Sequence, residues 1–187
     1  MTRLLCAPGI FALALLGGCS TTDMPPIRTA EHVDLQRFMG DWYVIASIPT
    51  FIERDAHNAV ESYRLLDDGR VATRFSFNEG GFDGERKVFT PTGFVLDRES
   101  NAVWGMRFVW PIKADYRIVY VDDDYRRTII GRVKRDYVWI MARSPHIPPG
   151  EMQRLSAIIA DQGYDVSKLR PVPQHWPDRT DIRGQTP

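Results

Sequence analysis

The fold class this sequence predicts is all-β: an eight-stranded up-and-down antiparallel β-barrel with a C-terminal α-helix packed on its outside. Three observations lead there. Eight short segments between Trp42 and Arg143 alternate apolar and polar residues with the period of two that a strand with one buried face requires. Their connections are short and carry turn residues, as at Asp67-Asp68-Gly69, so successive strands pair as a meander. After Pro148-Pro149 the apolar period lengthens to that of a helix. A chain of 187 residues makes one domain or a little more, and its formal net charge of zero gives no electrostatic case for nucleic acid. A meander of eight strands closes without leaving an edge and keeps an interior for one small ligand.

Residues 1–18 read as a signal peptide. Arg3 is a minimal positive region, and Leu4 to Leu16 is a mostly apolar run of 13 residues interrupted by Pro8 and Gly9. That is short for a membrane-spanning helix and typical of a secretory core. Leu16-Gly17-Gly18-Cys19 then resembles the lipobox of bacterial lipoproteins, in which small residues precede an obligatory Cys. The resemblance implies cleavage before Cys19 and acylation of that residue, with palmitate among the acyl groups. Ser20, rather than Asp, follows the Cys, which by the same resemblance favours export to the outer membrane. The bland alternative is an ordinary signal peptide with an incidental Cys. On the lipoprotein reading Cys19 is S-diacylglycerylated and N-acylated, and three acyl chains exceed the two signals that stable anchoring needs. Cys6 leaves with the signal, so the mature chain keeps one thiol and forms no internal disulfide. Residues 19–30, polar and bearing Pro25-Pro26, read as a lipidated tether. Residues 31–172 form the barrel domain, and 173–187 a flexible C-terminal tail.

Within the domain, Glu31 to Met39 includes a short helical turn. In the first strand Trp42, Val44, Ala46 and Ile48 share one face, and Tyr43, Ile45 and Ser47 the other. Thr50 to His57 interrupts the alternation as a long loop over a barrel mouth would. Asn58 to Leu66 is the second strand. The third, Arg70 to Asn78, sets Val71, Thr73, Phe75 and Phe77 against Ala72, Arg74 and Ser76. Gly80 to Gly84 is a turn, without the helix signal or Lys of a phosphate loop. Glu85 to Val95 is a strand kinked at Pro91-Thr92-Gly93. Ala102 to Trp110 places Trp104, Met106, Phe108 and Trp110 opposite Val103, Gly105, Arg107 and Val109. Tyr116, Ile118 and Tyr120 share a face of the sixth strand. Arg126 to Val133 and Asp136 to Arg143 are the seventh and eighth. Met152, Leu155, Ser156, Ile158 and Ile159 give the helix one apolar face, stopped at Gly163, and the outer barrel wall is the surface available to it. Tyr164 to Val172 adds a short strand at the edge.

Three separated sites carry a family resemblance: Gly40-Asp41-Trp42, Asp124-Tyr125 between the sixth and seventh strands, and Arg143 at the end of the eighth. Together they resemble the signature regions of the lipocalins, with Asp123 where a Thr often precedes Asp-Tyr. The match spans roughly Val33 to Leu169. With Asp136-Tyr137-Val138-Trp139-Ile140 and Gly163 to Leu169, the chain is similar to the bacterial outer-membrane lipoprotein lipocalins, which are themselves similar to apolipoprotein D. The resemblance implies that Trp42 closes the narrow end of the barrel. Arg143 over its indole would add a cation–π contact and plug the base. Gly40, Trp42, Asp124, Tyr125 and Arg143 are thus structural. It also implies non-covalent carriage of small apolar molecules, with fatty acids or lysophospholipids as the partners in the bacterial branch. The setting it implies is a lipid anchor on Cys19 at the periplasmic face of the outer membrane.

The ligand-lining candidates are Trp104, Met106, Phe108 and Trp110, followed by Phe75, Phe77, Tyr116, Tyr120, Tyr137 and Trp139. Aromatic and Met side chains suit a flexible acyl chain, and plain barrel packing explains the same residues equally well. Arg107 marks the face opposite Met106 as the outer one, and Arg74 meets a phosphate head group only if it turns inward. No catalytic residue, metal site or cofactor is predicted. His32, His57, His146 and His175 are scattered, no Gly-x-Ser-x-Gly elbow occurs, and no His pair has metal spacing. Two other classes stay open: a lipid-modifying enzyme with an inward acid–base pair, and an envelope interaction module with a filled barrel. Association as a homodimer is also open.

Overall fold

The computed structural model describes residues 24–176. In chain order these form a helical turn α1 (Leu35–Phe38), strands β1 (Gly40–Ile48), β2 (Ala56–Leu65), β3 (Arg70–Glu79), β4 (Arg86–Phe89), β5 (Thr92–Val95), β6 (Val103–Val109), β7 (Ile112–Val121), β8 (Arg127–Gly131) and β9 (Val138–Ala142), helix α2 (Pro149–Asp161), a 3-10 turn (Val166–Lys168) and β10 (Arg170–Pro171). Both β4 and β5 pair with β3, so they are two halves of one stave. The break between them holds Pro91, which lacks a ladder N–H. Neighbouring strands are antiparallel, and β9 pairs back onto β1, closing an eight-stave barrel. β1 and β2 are paired only from Gly40 to Tyr43; β10 takes the side of β1 that is vacated at Ala46 and Ser47.

Two bulges decide what faces inward. Between β1 and β9 the register passes from Val44↔Met141 to Ala46↔Ile140, and between β7 and β8 from Ile118↔Ile130 to Tyr120↔Ile129. Each inserts one residue and reverses the facing of everything beyond it. Trp42, Val44, Tyr116 and Ile118 therefore pack in the interior with Ile130 and Met141. Ala46, Ile48, Val119, Ile129 and Ile140 form a second cluster on the outer wall, under Leu155 and Ile159 of α2. The single faces expected for Trp42-Val44-Ala46-Ile48 and for Tyr116-Ile118-Tyr120 are thus each divided. Helix α2 starts with Pro149 in its first turn and is followed by Gly163 at φ +86°, the stop the sequence marks. Tyr164 fastens this end: its hydroxyl donates to Arg132 O at 3.0 Å and accepts from Arg132 N at 2.7 Å.

The base is sealed by aromatic rings and one guanidinium. Phe38 packs at 5.2 Å from Trp42, 5.5 Å from Tyr63 and 5.7 Å from Trp104, and Trp42 Nε1 donates to Phe38 O at 2.9 Å. The Arg143 guanidinium lies 3.7 Å over the Trp42 ring. It donates to the carbonyls of Asp41 (2.8 Å), Arg37 (2.9 Å), Phe38 (3.0 Å), Met39 (2.7 Å) and Tyr125 (3.3 Å). Gly40, at φ +93°, lets the chain turn beneath it; a Cβ there would stand 3.3 Å from Arg143 Nη1. Tyr125, also at positive φ, accepts from Asp34 N at 2.7 Å and stacks under Arg37.

The segment expected as a tether is bound to the wall from Pro25 onward. Ala30 N donates to Ile118 O at 2.9 Å, Arg28 N to Gln162 Oε1 at 2.9 Å, and Arg135 Nη2 to Pro25 O at 2.7 Å. The start of the expected flexible tail is likewise fixed: Gln174 Nε2 donates to Val44 O at 2.7 Å and Ala59 O at 3.2 Å, filling the split between β1 and β2. The signal peptide, Cys19 and residues 177–187 lie outside the described residues.

Candidate functional site

Above the sealed base the barrel keeps a cavity of about 120 Å³. Val44, Phe75, Met106, Tyr116, Ile130 and Met141 form its walls, and Ile52, Phe108 and Trp139 stand toward the mouth. Its deepest polar feature is the pair of Tyr63 and Tyr116 hydroxyls, hydrogen-bonded to each other; burial pushes both phenols well above their ordinary range, so they remain neutral.

Four ionisable side chains also line the cavity: Glu53, Glu61, Asp115 and Arg132. Asp115 is engaged by Arg117 Nε at 2.6 Å and by Val133 N at 2.7 Å. Arg132 reaches Asp136 with one terminal nitrogen at 3.4 Å, while its buried Nε has no partner among the described residues. Glu53, buried, accepts from Thr50 N at 2.9 Å and from Trp139 Nε1 at 3.2 Å, which pins the β1–β2 loop over the mouth. Burial raises its carboxyl pKa against those two donors. Glu61 is different. Its carboxyl makes no hydrogen bond among the described residues, and the side chain lines the cavity. Burial, and secondarily the charge of Glu53, pushes it up to about 8. Glu61 is therefore mostly protonated at neutral pH, a neutral hydrogen-bonding group in an apolar chamber.

Of the residues singled out in the sequence, Phe75, Met106, Phe108, Tyr116 and Trp139 come together around the cavity. The other five lie elsewhere. Trp104 is fully buried in the base, its Nε1 donating to Asn101 O at 2.7 Å. Phe77 is packed between Phe75 and Phe89, at 5.3 and 6.2 Å, outside the lining. Trp110 stands exposed at the β6–β7 hairpin, past a bulge that shifts the register between Met106 and Val109. The β7 bulge carries Tyr120 to the outer wall, where Arg154 donates to its hydroxyl at 3.1 Å. Tyr137 packs beside Trp139 and under Arg132 rather than against the cavity. Arg74 points outward and bonds Ser76. The four ionisable lining residues belong to no motif in the sequence; Glu61 alternates with Ala59 and Tyr63 on one face of β2, and that spacing is the signal that marks it. Among the described residues no group of His, Cys, Asp and Glu could hold a metal ion.

A barrel of eight antiparallel staves, closed at one end by a Trp–Arg plug and open at the other into a mostly apolar chamber, defines a small-ligand-binding protein. The chain belongs to the lipocalin family, whose members bind small hydrophobic ligands: the pattern of the lipocalin-like domain matches residues 33–174. It is 28% identical over 162 residues to temperature-induced lipocalin-1 of Arabidopsis thaliana, covering 82% of this chain and 86% of that relative. It is also 28% identical over 164 residues to the outer membrane lipoprotein Blc of Citrobacter freundii, covering 86% and 90%. Apolipoprotein D of Oryctolagus cuniculus is 26% identical over 166 residues, with 82% and 81% covered. Among solved structures, insecticyanin from the tobacco hornworm Manduca sexta shares the fold at a TM-score of 0.63 and 15% identity, covering 82% of this chain and 86% of its own.

Proposed function

We propose that this protein is an outer-membrane-anchored carrier or store of single-chain apolar molecules, fatty acids or lysophospholipids, that serves envelope maintenance. The observation that carries the reading is the size and mostly apolar lining of the cavity. At about 120 Å³ it is smaller than the roughly 300–1,000 Å³ of sites for drug-sized ligands, so it suits one slender chain. The neutral Glu61 favours entry tail-first, because a ligand carboxylate beside it would lose hydration without gaining a cation. The head group then stays at the mouth, where Arg132 stands. The similarity to the Blc relatives, which are outer membrane lipoproteins, supports the anchor and the outer-membrane setting. So does the sequence Leu16-Gly17-Gly18-Cys19.

The test is a titration of the chain lacking residues 1–19 with fatty acids and lysophospholipids of graded length. Each buried methylene is worth about 0.8 kcal/mol, so affinity should climb with length until the cavity is full and then level off. Affinity that is absent, or indifferent to length, overturns the carrier reading. The anchor has its own test: Cys19→Ser should remove the protein from the outer-membrane fraction, and unchanged fractionation contradicts a lipid tether. A second reading has one observation in its favour, since Glu53 and Glu61 are two carboxyls on one cavity, as acid–base chemistry on a bound lipid requires. Mass spectrometry of the ligand before and after incubation separates the two; an altered ligand selects the enzyme.

A further inference from the structure

The four most exposed large apolar side chains of the described residues all lie at the barrel mouth: Trp110 and Phe51 at 78%, Ile112 at 71% and Val109 at 69%. Three of them form the tip of the β6–β7 hairpin, and Phe51 sits on the β1–β2 loop. The two segments are neighbours across one opening, because Phe108 and Ile52 line the same cavity. Single exposed apolar residues are ordinary on a protein surface, whereas a cluster that includes an exposed Trp is not. At the base of the hairpin stand two cations, Arg107 and Lys113, lying 4.8 and 4.0 Å over the outer face of Phe94. Apolar tip, Trp and flanking long-chain cations form the order of groups that a bilayer interface selects. The apex enters the interface with the Trp110 indole and its apolar neighbours Val109 and Ile112, and the cations behind it reach back to the phosphates.

We infer that the mouth rim is a membrane-docking surface, with the Val109–Ile112 tip and Phe51 entering a bilayer that carries anionic head groups. The course of the N-terminal segment argues the same orientation. From Ala30, bonded to the middle of β7, the chain runs back along the wall to Pro25, which is held by Arg135 of the β8–β9 turn at the mouth end. Cys19 precedes Met24 by five residues, a reach of at most about 18 Å. On the reading that Cys19 is acylated, the lipid therefore holds the open end of the barrel, rather than its sealed base, toward the membrane. Docked this way, the cavity opens onto the phase from which a single-chain lipid would enter. Asp115 at the rim is already neutralised by Arg117 and does not oppose the approach.

The experiment uses the chain lacking residues 1–19, so that no acyl group contributes. Residues 24–176 close the barrel through bonds among themselves, and this chain carries the whole fold. Cosedimentation with vesicles of phosphatidylethanolamine and phosphatidylglycerol should show binding. The double variant Trp110→Ser with Ile112→Ser should weaken it at least about tenfold, given the transfer free energy of two large apolar side chains. Val88→Ser, which removes an exposed apolar residue from the outer wall, should leave it unchanged. Lys113→Glu should weaken binding to these vesicles more than to phosphatidylcholine alone. Brominated lipid should quench the fluorescence that Trp110→Phe removes. Wild-type protein that ignores the vesicles, or a double variant that binds as well as wild type, overturns the inference. So does a dimer that the double variant dissolves without any vesicle binding, which would assign the tip to a second copy of the chain. Ligand affinity of the double variant is read in the same preparation: affinity kept with docking lost supports the inference, and affinity absent in the wild type counts against the carrier reading instead.

Discussion

Glu61 shows how one side chain sets the working conditions of the cavity. Alternation along β2 turns it inward between Ala59 and Tyr63, and it forms no ion pair there among the described residues. Burial, and then the charge of Glu53, raises its carboxyl from 4.5 to about 8. Between those two values the native state holds a proton that the unfolded chain has released, so stability falls as pH rises through that window. Below it both states are protonated, and above it both are ionised and the loss levels off. Glu53, also raised by burial, contributes with the same sign. Urea midpoints should therefore drop from pH 5 to pH 8 in the wild type. Glu61→Gln should flatten much of that slope and be the more stable protein at pH 8. A wild-type midpoint level across the window would mean that water reaches the carboxylate. Trp42, Tyr125 and Arg143 could be placed from the sequence because a motif marks them. Glu61 could not, because it is an acid among the apolar residues whose alternation marks the inward face, and no motif surrounds it.

At the scale of elements, the strands through β9, the turns and the helix after Pro148-Pro149 lie where alternation and turn residues put them, whereas the strand expected over Tyr164 to Val172 is a 3-10 turn (Val166–Lys168) followed by the two residues of β10. The kink at Pro91 is the break between β4 and β5. What alternation could not deliver was the facing of β1 and β7 beyond their bulges. The physical cause is the helix. Where α2 covers the barrel the wall is buried on both sides, and Val44-Ile45-Ala46, Ile118-Val119-Tyr120 and Ile129-Ile130 read as continuous apolar runs in which period two disappears. A bulge there inserts a residue of the same kind as its neighbours and leaves no mark in composition. The two bulges are nonetheless what lets one barrel serve two cores. They deliver Ala46, Ile48 and Val119 to α2 while leaving Val44, Tyr116 and Ile118 to the interior. The placements of Tyr116 on the cavity and Tyr120 under Arg154 follow from one inserted residue.

The whole molecule divides its labour between two ends. The base spends its aromatic rings on closure: Phe38, Trp42, Tyr63 and Trp104 pack on one another, and Arg143 ties β9 to α1 and to the β7–β8 turn through five carbonyls. The mouth carries the loops, the ionisable lining and the exposed apolar tip. Stability and ligand affinity should therefore separate on mutation. Arg143→Ala removes the cation over Trp42, worth about 1–2 kcal/mol, and frees carbonyls that close the last turn of α1. Partial access of water to those carbonyls limits the further cost to about 1–2 kcal/mol, so the whole loss should be about 2–4 kcal/mol by urea denaturation. Arg143→Lys keeps the charge but not the planar fork that reaches several carbonyls at once, and should recover only part of it. Affinity for a saturating-length fatty acid, measured well below the unfolding midpoint, should stay within about threefold of wild type, because the plug lies beneath the Tyr63–Tyr116 pair and not against the chamber. An Arg143→Ala protein that keeps its stability but loses its ligand would reverse this division and make the base part of the binding site.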